Sequence, residues 1–390
     1  MASLWLGISL LSLIVWLFLI LAWGQFWRSD QRLPETAAAL EFWPDVCAIV
    51  PARNEADVLP QSLRSLLTQD YPGKLTVILV DDQSTDGTSA VAQQVAVETQ
   101  TESALQILET DLLPVGWSGK LWAMHQGVEY LEQQGNPAYI LFTDADIAHD
   151  FENVRSLVSK AEQENRDLVS LMVQLRCESV WERLLIPAFV FFFEKLYPFP
   201  WVNNPNRKMA AAAGGCILLR SQALSRAGGL EVIREALIDD CSLAAAIKST
   251  GGNIWLGLST STVSLRPYTT LESIWTMVAR TAFTQLHYSV LLLMGSVVGM
   301  GLIYIAPIAS LFYGLVFSVK WVAILGAITW LLMTLAYLPT IRLYRLSPLW
   351  AFALPLIALL YTLMTLDSAR RHWQGKGGAW KGRVYPAAVK

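Results

Sequence analysis

Apolar positions fall into three regimes along this chain. Residues 4–27 carry no charge and are long enough to cross a bilayer as one helix, with Arg28 and Arg32 behind them. The basic residues follow the apolar run, and no small-residue cleavage site is evident. The segment therefore reads as a retained anchor and not a signal peptide, and its charges put the next domain in the cytoplasm. Residues 31–45, with Pro34 and Pro44, read as a linker. Short apolar runs then alternate with segments of helical spacing. Strands are expected at 46–50, 75–80, 105–108, 139–142, 167–175 and 216–219. Helices are expected at 56–69, from 89 onward, at 120–133 and at 241–248. Such alternation builds an α/β domain with a mostly parallel sheet, and ligands gather at the carboxyl ends of its strands.

The third regime begins near Tyr268. Residues 271–285 have the spacing of an amphipathic helix, and apolar blocks follow at 289–317, 321–338 and 349–366. The expected organisation is an anchor over 1–30, the α/β domain over 45–265 and an interfacial helix over 268–288. Membrane segments over 289–366 and a basic tail over 367–390 complete it. If each block crossed once, Arg370, Arg371, Lys376, Lys381, Arg383 and Lys390 would lie outside, against the positive-inside preference. One block is thus expected to turn back. The choice falls on 289–317, which is longer than a hydrocarbon core requires and is interrupted by Gly295, Gly299, Gly301 and Pro307; one long tilted helix with the tail outside, which Arg342 and Arg345 favour, is the other reading. The aromatic run at 184–193 is too short to span; a place in the membrane interface is expected for it, with core packing as the other reading.

Composition narrows the class. Apolar residues make up 54% and charged residues 16%, so an integral membrane protein in contact with the bilayer is expected. A net charge of −3 gives no basis for a nucleic-acid partner. Cys47, Cys177, Cys216 and Cys241 form no Cys-x-x-Cys pair, which points to free thiols and not to a zinc site. The four histidines show no metal-ligand spacing, and His149 is the one close to the acidic motif.

Candidate chemistry gathers at the strand ends. Tyr139-Ile-Leu-Phe-Thr-Asp-Ala-Asp146 reads as a buried strand closed by two carboxylates, Asp144 and Asp146. Two such groups can converge on one hard cation, Mg²⁺ or Mn²⁺, that also binds phosphates; a solvated turn is the other reading. Pro51-Ala-Arg-Asn-Glu55 and Asp81-Asp-Gln-Ser-Thr-Asp-Gly-Thr88 close the first two strands. Gly116-Trp-Ser-Gly-Lys120 brings a lysine to a helix start, where backbone and charge approach an anion together. Ile238-Asp-Asp240 opens a helix, and one of its acids is expected as the N-cap.

In this order the motifs resemble the membrane glycosyltransferases of family 2, with the GT-A nucleotide-sugar fold. The resemblance is closest to the hopene-associated glycosyltransferases, which are similar to ceramide glucosyltransferases, and it covers nearly the whole chain. It implies a metal-dependent, inverting hexosyltransferase of a bacterial inner membrane. Such an enzyme moves one sugar from a UDP-sugar to a hydroxyl of a membrane lipid. The resemblance puts Pro51, Ala52, Asn54 and Glu55 beside the nucleotide sugar, Asp82 on its pyrimidine and Lys120 on a phosphate. It puts Asp144 and Asp146 on Mn²⁺ or Mg²⁺, and Asp240 in the place of the general base, with Asp239 as runner-up. Arg280 matches the one retained residue of a Gln/Arg-x-x-Arg-Trp motif, here Met277-Val-Ala-Arg-Thr281. The missing Trp sets the acceptor site apart and argues against a polysaccharide synthase. Two alternatives stand beside this reading. One is a polyprenyl-phosphate acceptor served by Arg207, Lys208 and Arg280; the other is a non-catalytic membrane protein that binds nucleotide sugar.

Overall fold

The computed structural model describes residues 1–34 and 37–375, and the backbone of the strands Ala379–Trp380 and Arg383–Val384. Helix α1 (Ala2–Ala22) precedes a sheet of β1 (Val46–Ala52), β2 (Leu75–Asp81), β3 (Leu105–Glu109), β4 (Tyr139–Thr143), β5 (Ile147–Ala148), β6 (Leu168–Gln174), β7 (Cys216–Arg220) and β8 (Ile254–Ser264). The spatial order is β3-β2-β1-β4-β7-β6-β8-β5. β1 runs parallel to β2 and β4, and β2 to β3, as the alternating pattern requires. The second half is mixed, because β7 runs antiparallel to both β4 and β6. Its cause is local: the chain leaves β6 at the carboxyl end and re-enters through β7 without crossing back. β8 was not among the expected strands. Its buried Trp255, Leu256 and Leu258 give way to a Ser/Thr run that hides the apolar alternation.

Helices α2 (Leu59–Leu67), α3 (Thr88–Thr99), α4 (Gly119–Gln134) and α5 (Asn153–Gln163) cover the first half of the sheet. Then come α6 (Val180–Leu196), α7 (Phe199–Val202), α8 (Ser221–Ala227), α9 (Asp239–Ser249) and α10 (Leu271–Thr281), the last followed by a 3-10 turn at Thr284–Leu286. α6 starts with a capping box in which Ser179 and Glu182 satisfy each other's backbone N–H. Its Leu185, Ile186, Ala188, Val190 and Phe191 are buried against protein. The interfacial placement expected for 184–193 is therefore corrected: this run is core, wedged between the sheet domain and the apolar helices.

Beyond Tyr288, α11 (Val290–Met300), a π-turn at Gly301–Ile305 and α12 (Ala306–Val316) form one continuous helix over 290–316. The hairpin expected over 289–317 does not form. Pro307 offers no N–H, so the carbonyls of Leu302 and Ile303 lose their helical donors there. Ser12 Oγ donates to Leu302 O at 2.8 Å and Trp16 Nε1 to Ile303 O at 2.8 Å, both from α1. The break is thus repaired from outside the helix, which in an apolar setting lets the chain run straight on. α13 (Lys320–Leu343) returns against α12 through Gly314 and Gly326, where an added Cβ would lie 2.3 Å from Ala323 N and 2.5 Å from Pro307 O.

The last apolar block has a different course. Leu343 O accepts from Gln174 Nε2 of β6, so α13 ends on the sheet-domain side. A 3-10 segment, Pro348–Ala353, then climbs back along α13, and Trp330 Nε1 donates to Phe352 O at 3.4 Å. Trp330 lies ~20 Å from Leu343 along the helix axis, at 1.5 Å per residue. From there α14 (Leu354–Trp373) descends. Its Asp367 accepts from Trp275 Nε1 of α10 at 2.9 Å, Ser368 Oγ accepts from Phe283 N at 3.0 Å, and His372 stacks on Tyr288. Both ends of 344–373 therefore lie at the same end of the helix bundle. Among the described residues four helices, Ala2–Ala22, Val290–Val316, Lys320–Leu343 and Pro348–Trp373, are long and apolar enough to cross a membrane.

Candidate active site

The carboxyl ends of β1, β2 and β4 deliver the expected motifs to one cleft. β4 ends at Thr143, and the following turn exposes Asp144 while Asp146 stays nearly buried. Ser118 caps α4 by accepting from Leu121 N, which fixes Lys120 in the first turn. Lys120 Nζ reaches Asp144 Oδ1 at 2.8 Å and Asp239 Oδ2 at 3.3 Å. Burial opposes its charge, but Asp144, Asp239 and Asp240 outweigh burial and hold the ammonium above its usual range. A cavity at this point is lined by Pro51, Lys120, Asp144, Gly214, Asp239 and Asp240, among others.

Asp239 and Asp240 occupy the first turn of α9, while the N-cap is Ile238, whose side chain cannot cap. The expectation that one acid is the N-cap is corrected here. The carboxylate of Asp240 instead accepts from Gly214 N at 2.8 Å and Cys241 N at 2.7 Å. Burial, and next the neighbouring Asp239, push its pKa up to about 6. Asp144 is also raised, by burial first, against the pull of Lys120.

A second cluster lies beside the first. Arg266 Nε donates to Asp146 Oδ2 at 2.9 Å, and its Nη2 to Glu55 Oε1 and Oε2 at 2.9 and 3.1 Å. The site thus holds five carboxylates, Glu55, Asp144, Asp146, Asp239 and Asp240, against the two cations Lys120 and Arg266. That surplus suits a divalent cation. Among the described residues no three His, Cys, Asp or Glu side chains converge to hold a metal alone. Asp144 and Asp146 fit Mg²⁺ or Mn²⁺ as a shared ion whose remaining ligands are phosphate oxygens of a donor.

The strand-end loops at 53–56 and 82–88 are zipped together. Asn54, at φ +52°, accepts from Thr85 N at 2.8 Å, and Glu55 N donates to Thr88 Oγ1. Asp86 accepts from the backbone of Ala56 and Thr88, a structural role. Asp82 is 1% exposed; its carbonyl accepts from Arg53 Nη1 at 2.6 Å and its carboxylate from Thr110 Oγ1 at 3.3 Å. Ala52 is fully buried in β1, where its carbonyl accepts from Asp82 N at 2.8 Å.

Arg280 is exposed on α10 and makes no ion pair among the described residues, although its charge is felt at Tyr268, which also senses Arg266 and Asp146. His149 is not a ligand. Thr143 Oγ1 donates to Gly215 O, so His149 Nε2–H donates to Thr143 and Nδ1 accepts from Asn153 Nδ2. Burial lowers its pKa to about 4, leaving a neutral, structural imidazole. The sequence reading missed Arg266; a lone Arg between a strand and Pro267 was the available signal.

Residues 47–228 match the family description "Glycosyl transferase family 2". A 4,4'-diaponeurosporenoate glycosyltransferase of Staphylococcus haemolyticus is 29% identical over 128 residues, 32% of this chain and 31% of that protein. A beta-monoglucosyldiacylglycerol synthase of Synechocystis is 31% identical over 109 residues, 28% of this chain and 21% of that protein. The chain thus spans a third or less of these curated relatives. Among solved structures, the mannosyltransferase PcManGT from Pyrobaculum calidifontis, in complex with GDP-Man and Mn²⁺, superposes with a TM-score of 0.57 at 18% identity, covering 94% of this chain and 99% of that one. Fold and sequence agree: over residues 47–228 the chain is similar to the family 2 glycosyl transferases, on a GT-A-like fold flanked by apolar helices.

Proposed function

We propose that the protein is an inverting glycosyltransferase that moves one sugar from a UDP-sugar to a hydroxyl of a membrane lipid. The carrying observation is the convergence of Lys120, Asp144 and Asp240 in one cleft, with Asp146 next to Asp144, beside elements that pack on the apolar helices. Similarity to a 4,4'-diaponeurosporenoate glycosyltransferase and a beta-monoglucosyldiacylglycerol synthase supports a lipid acceptor. The acceptor oxygen forms a bond to the anomeric carbon from the face opposite the leaving group, and the carbon–phosphate-oxygen bond breaks. Asp240 takes the hydroxyl proton, helped by a pKa near 6 that makes it a stronger base than a solvated Asp. Lys120 neutralises charge growing on the departing diphosphate. A divalent ion held by Asp144 and Asp146 would supply further charge stabilisation there. Backbone donors fix the carboxylate of Asp240, so its position is preset.

The acceptor hydroxyl, a hopanoid or ceramide-like lipid among the candidates, and the sugar are read out by one experiment. Membranes containing the protein, a lipid extract and a panel of radiolabelled UDP- and GDP-sugars should give labelled lipid from a UDP-sugar. Label from GDP-sugars alone would overturn the UDP assignment. Donor binding without transfer or release of UDP would favour the non-catalytic reading. A polyprenyl-phosphate acceptor requires a cation free to meet its phosphate, and Arg207, Lys208 and Arg280 are exposed for that role.

For topology we infer that α1, the helix 290–316 and α13 each cross the membrane, while Pro348–Trp373 enters and returns. This arrangement puts Arg28, Arg32, Arg342, Arg345, Arg370 and Arg371 on the domain side, leaving Lys320 at the far end. The positive-inside preference then makes the domain side cytoplasmic. It also removes the conflict between the tail and Arg342/Arg345 that a hairpin over 289–317 would create. A cysteine at Ser318 should react with an impermeant maleimide in intact cells, and one at Gln374 only after permeabilisation. Labelling of Gln374→Cys in intact cells would mean that the last block crosses.

A further inference from the structure

Arg266 has no part in the transfer chemistry just described, yet it grips the carboxylate on which a metal would depend. The segment is strapped in place. Ser264 pairs with Ile147 across β8 and β5, and Leu265 N donates to Asp146 O at 2.8 Å. Two residues on, Tyr268 N donates to Glu182 Oε1 at 2.7 Å, tying the same loop to the capping box of α6. The guanidinium therefore cannot drift from its two acids through loop motion alone. It spans Asp146 and Glu55, whose side chains are only 10% and 8% exposed. On Asp146 it takes Oδ2, an oxygen that also receives Ser264 Oγ at 3.3 Å.

A divalent cation arriving alone at Asp146 would meet this fixed positive charge at close range. A metal arriving with a diphosphate brings enough negative charge to offset it and gives the guanidinium a second anion to share. Resting on the metal-assisted transfer proposed above, we propose that Arg266 is a charge gate. It neutralises Asp146 and Glu55 in the empty cleft, and it makes metal binding depend on the nucleoside diphosphate. Such coupling is reciprocal, so the donor is also held weakly until the metal is present. Arg266 acts as a positioning residue through Asp146; it takes no proton and forms no bond to the sugar.

The test is the affinity of purified full-length protein for Mn²⁺, read by the electron paramagnetic resonance of the free ion, with and without UDP. Wild type should bind Mn²⁺ weakly alone and roughly tenfold or more tightly with UDP. Arg266→Gln should bind Mn²⁺ roughly tenfold more tightly than wild type in the absence of UDP, with the UDP effect largely gone. Arg266→Lys keeps the charge but cannot bridge two acids, and should fall between the two. It also serves if the Gln variant does not fold, which thermal unfolding monitors. UDP-free binding that is unchanged or weaker in a folded variant would overturn the gate while leaving the metal reading intact. If Asp146→Ala binds Mn²⁺ with UDP as wild type does, the metal-assisted transfer itself fails, and the gate with it.

Discussion

Asp240→Asn should lower transfer by roughly 10²–10⁴-fold, the usual contribution of a positioned general base, while donor binding changes little. Gly214 N and Cys241 N bond different oxygens of Asp240, so Asn, with one acceptor oxygen, keeps only one of these bonds, and thermal unfolding checks that the variant stays folded. What disappears is the proton acceptor. The pH profile carries the same information with a definite sign. Asp240 works only when deprotonated, and burial next to Asp239 raises its pKa to about 6. Turnover should therefore fall about tenfold per unit below that value and level off above it. The Asn variant should lack this acidic limb. If Asp239→Asn loses activity and the limb while Asp240→Asn keeps both, the base is Asp239. In that case Lys120, 3.3 Å from Asp239, would have to release it during turnover.

Asp146→Ala should abolish transfer, by roughly 10³-fold or more, the several kcal/mol that a metal ion adds to a charge-separating step. The variant should remain folded, since Arg266 keeps Glu55 as its counter-ion and Leu265 N bonds to the backbone, not the side chain, of residue 146. Chelator should silence the wild type, and Mn²⁺ or Mg²⁺ should restore it. Full turnover in excess chelator would mean that Lys120 stabilises the leaving group without a metal, and the two-carboxylate reading would fall.

Much of this could be read from residue order because strand–helix alternation and strand-end motifs are local patterns. The strand Tyr139–Thr143 is apolar throughout and ends in acids, so both its burial and its site follow from the chain itself. The resemblance to family 2 glycosyltransferases rested on the same stretches, and the family match, over residues 47–228, spans those before Ile238-Asp-Asp240. Helix over 290–316 was the main error. Three glycines and a proline do predict a break, but only contact with Ser12 and Trp16 shows that the freed carbonyls are satisfied from α1. Those two residues sit some 290 positions away in the chain, beyond any local pattern.

What the sequence determined by itself is the inventory: an apolar anchor, an α/β domain with acids at its strand ends, and apolar blocks behind it. These follow from periodicity and charge, which act between neighbours in the chain. The tertiary structure decided which groups meet. It set Asp240 on the backbone of Gly214 and gave it a pKa fit for a base. It brought Arg266, just beyond an unforeseen strand, onto Asp146 and Glu55. It also returned Pro348–Trp373 to the side it came from, through Trp330 and Trp275. Burial, ion pairing and hydrogen bonding across the fold depend on separations in space that residue order does not encode locally.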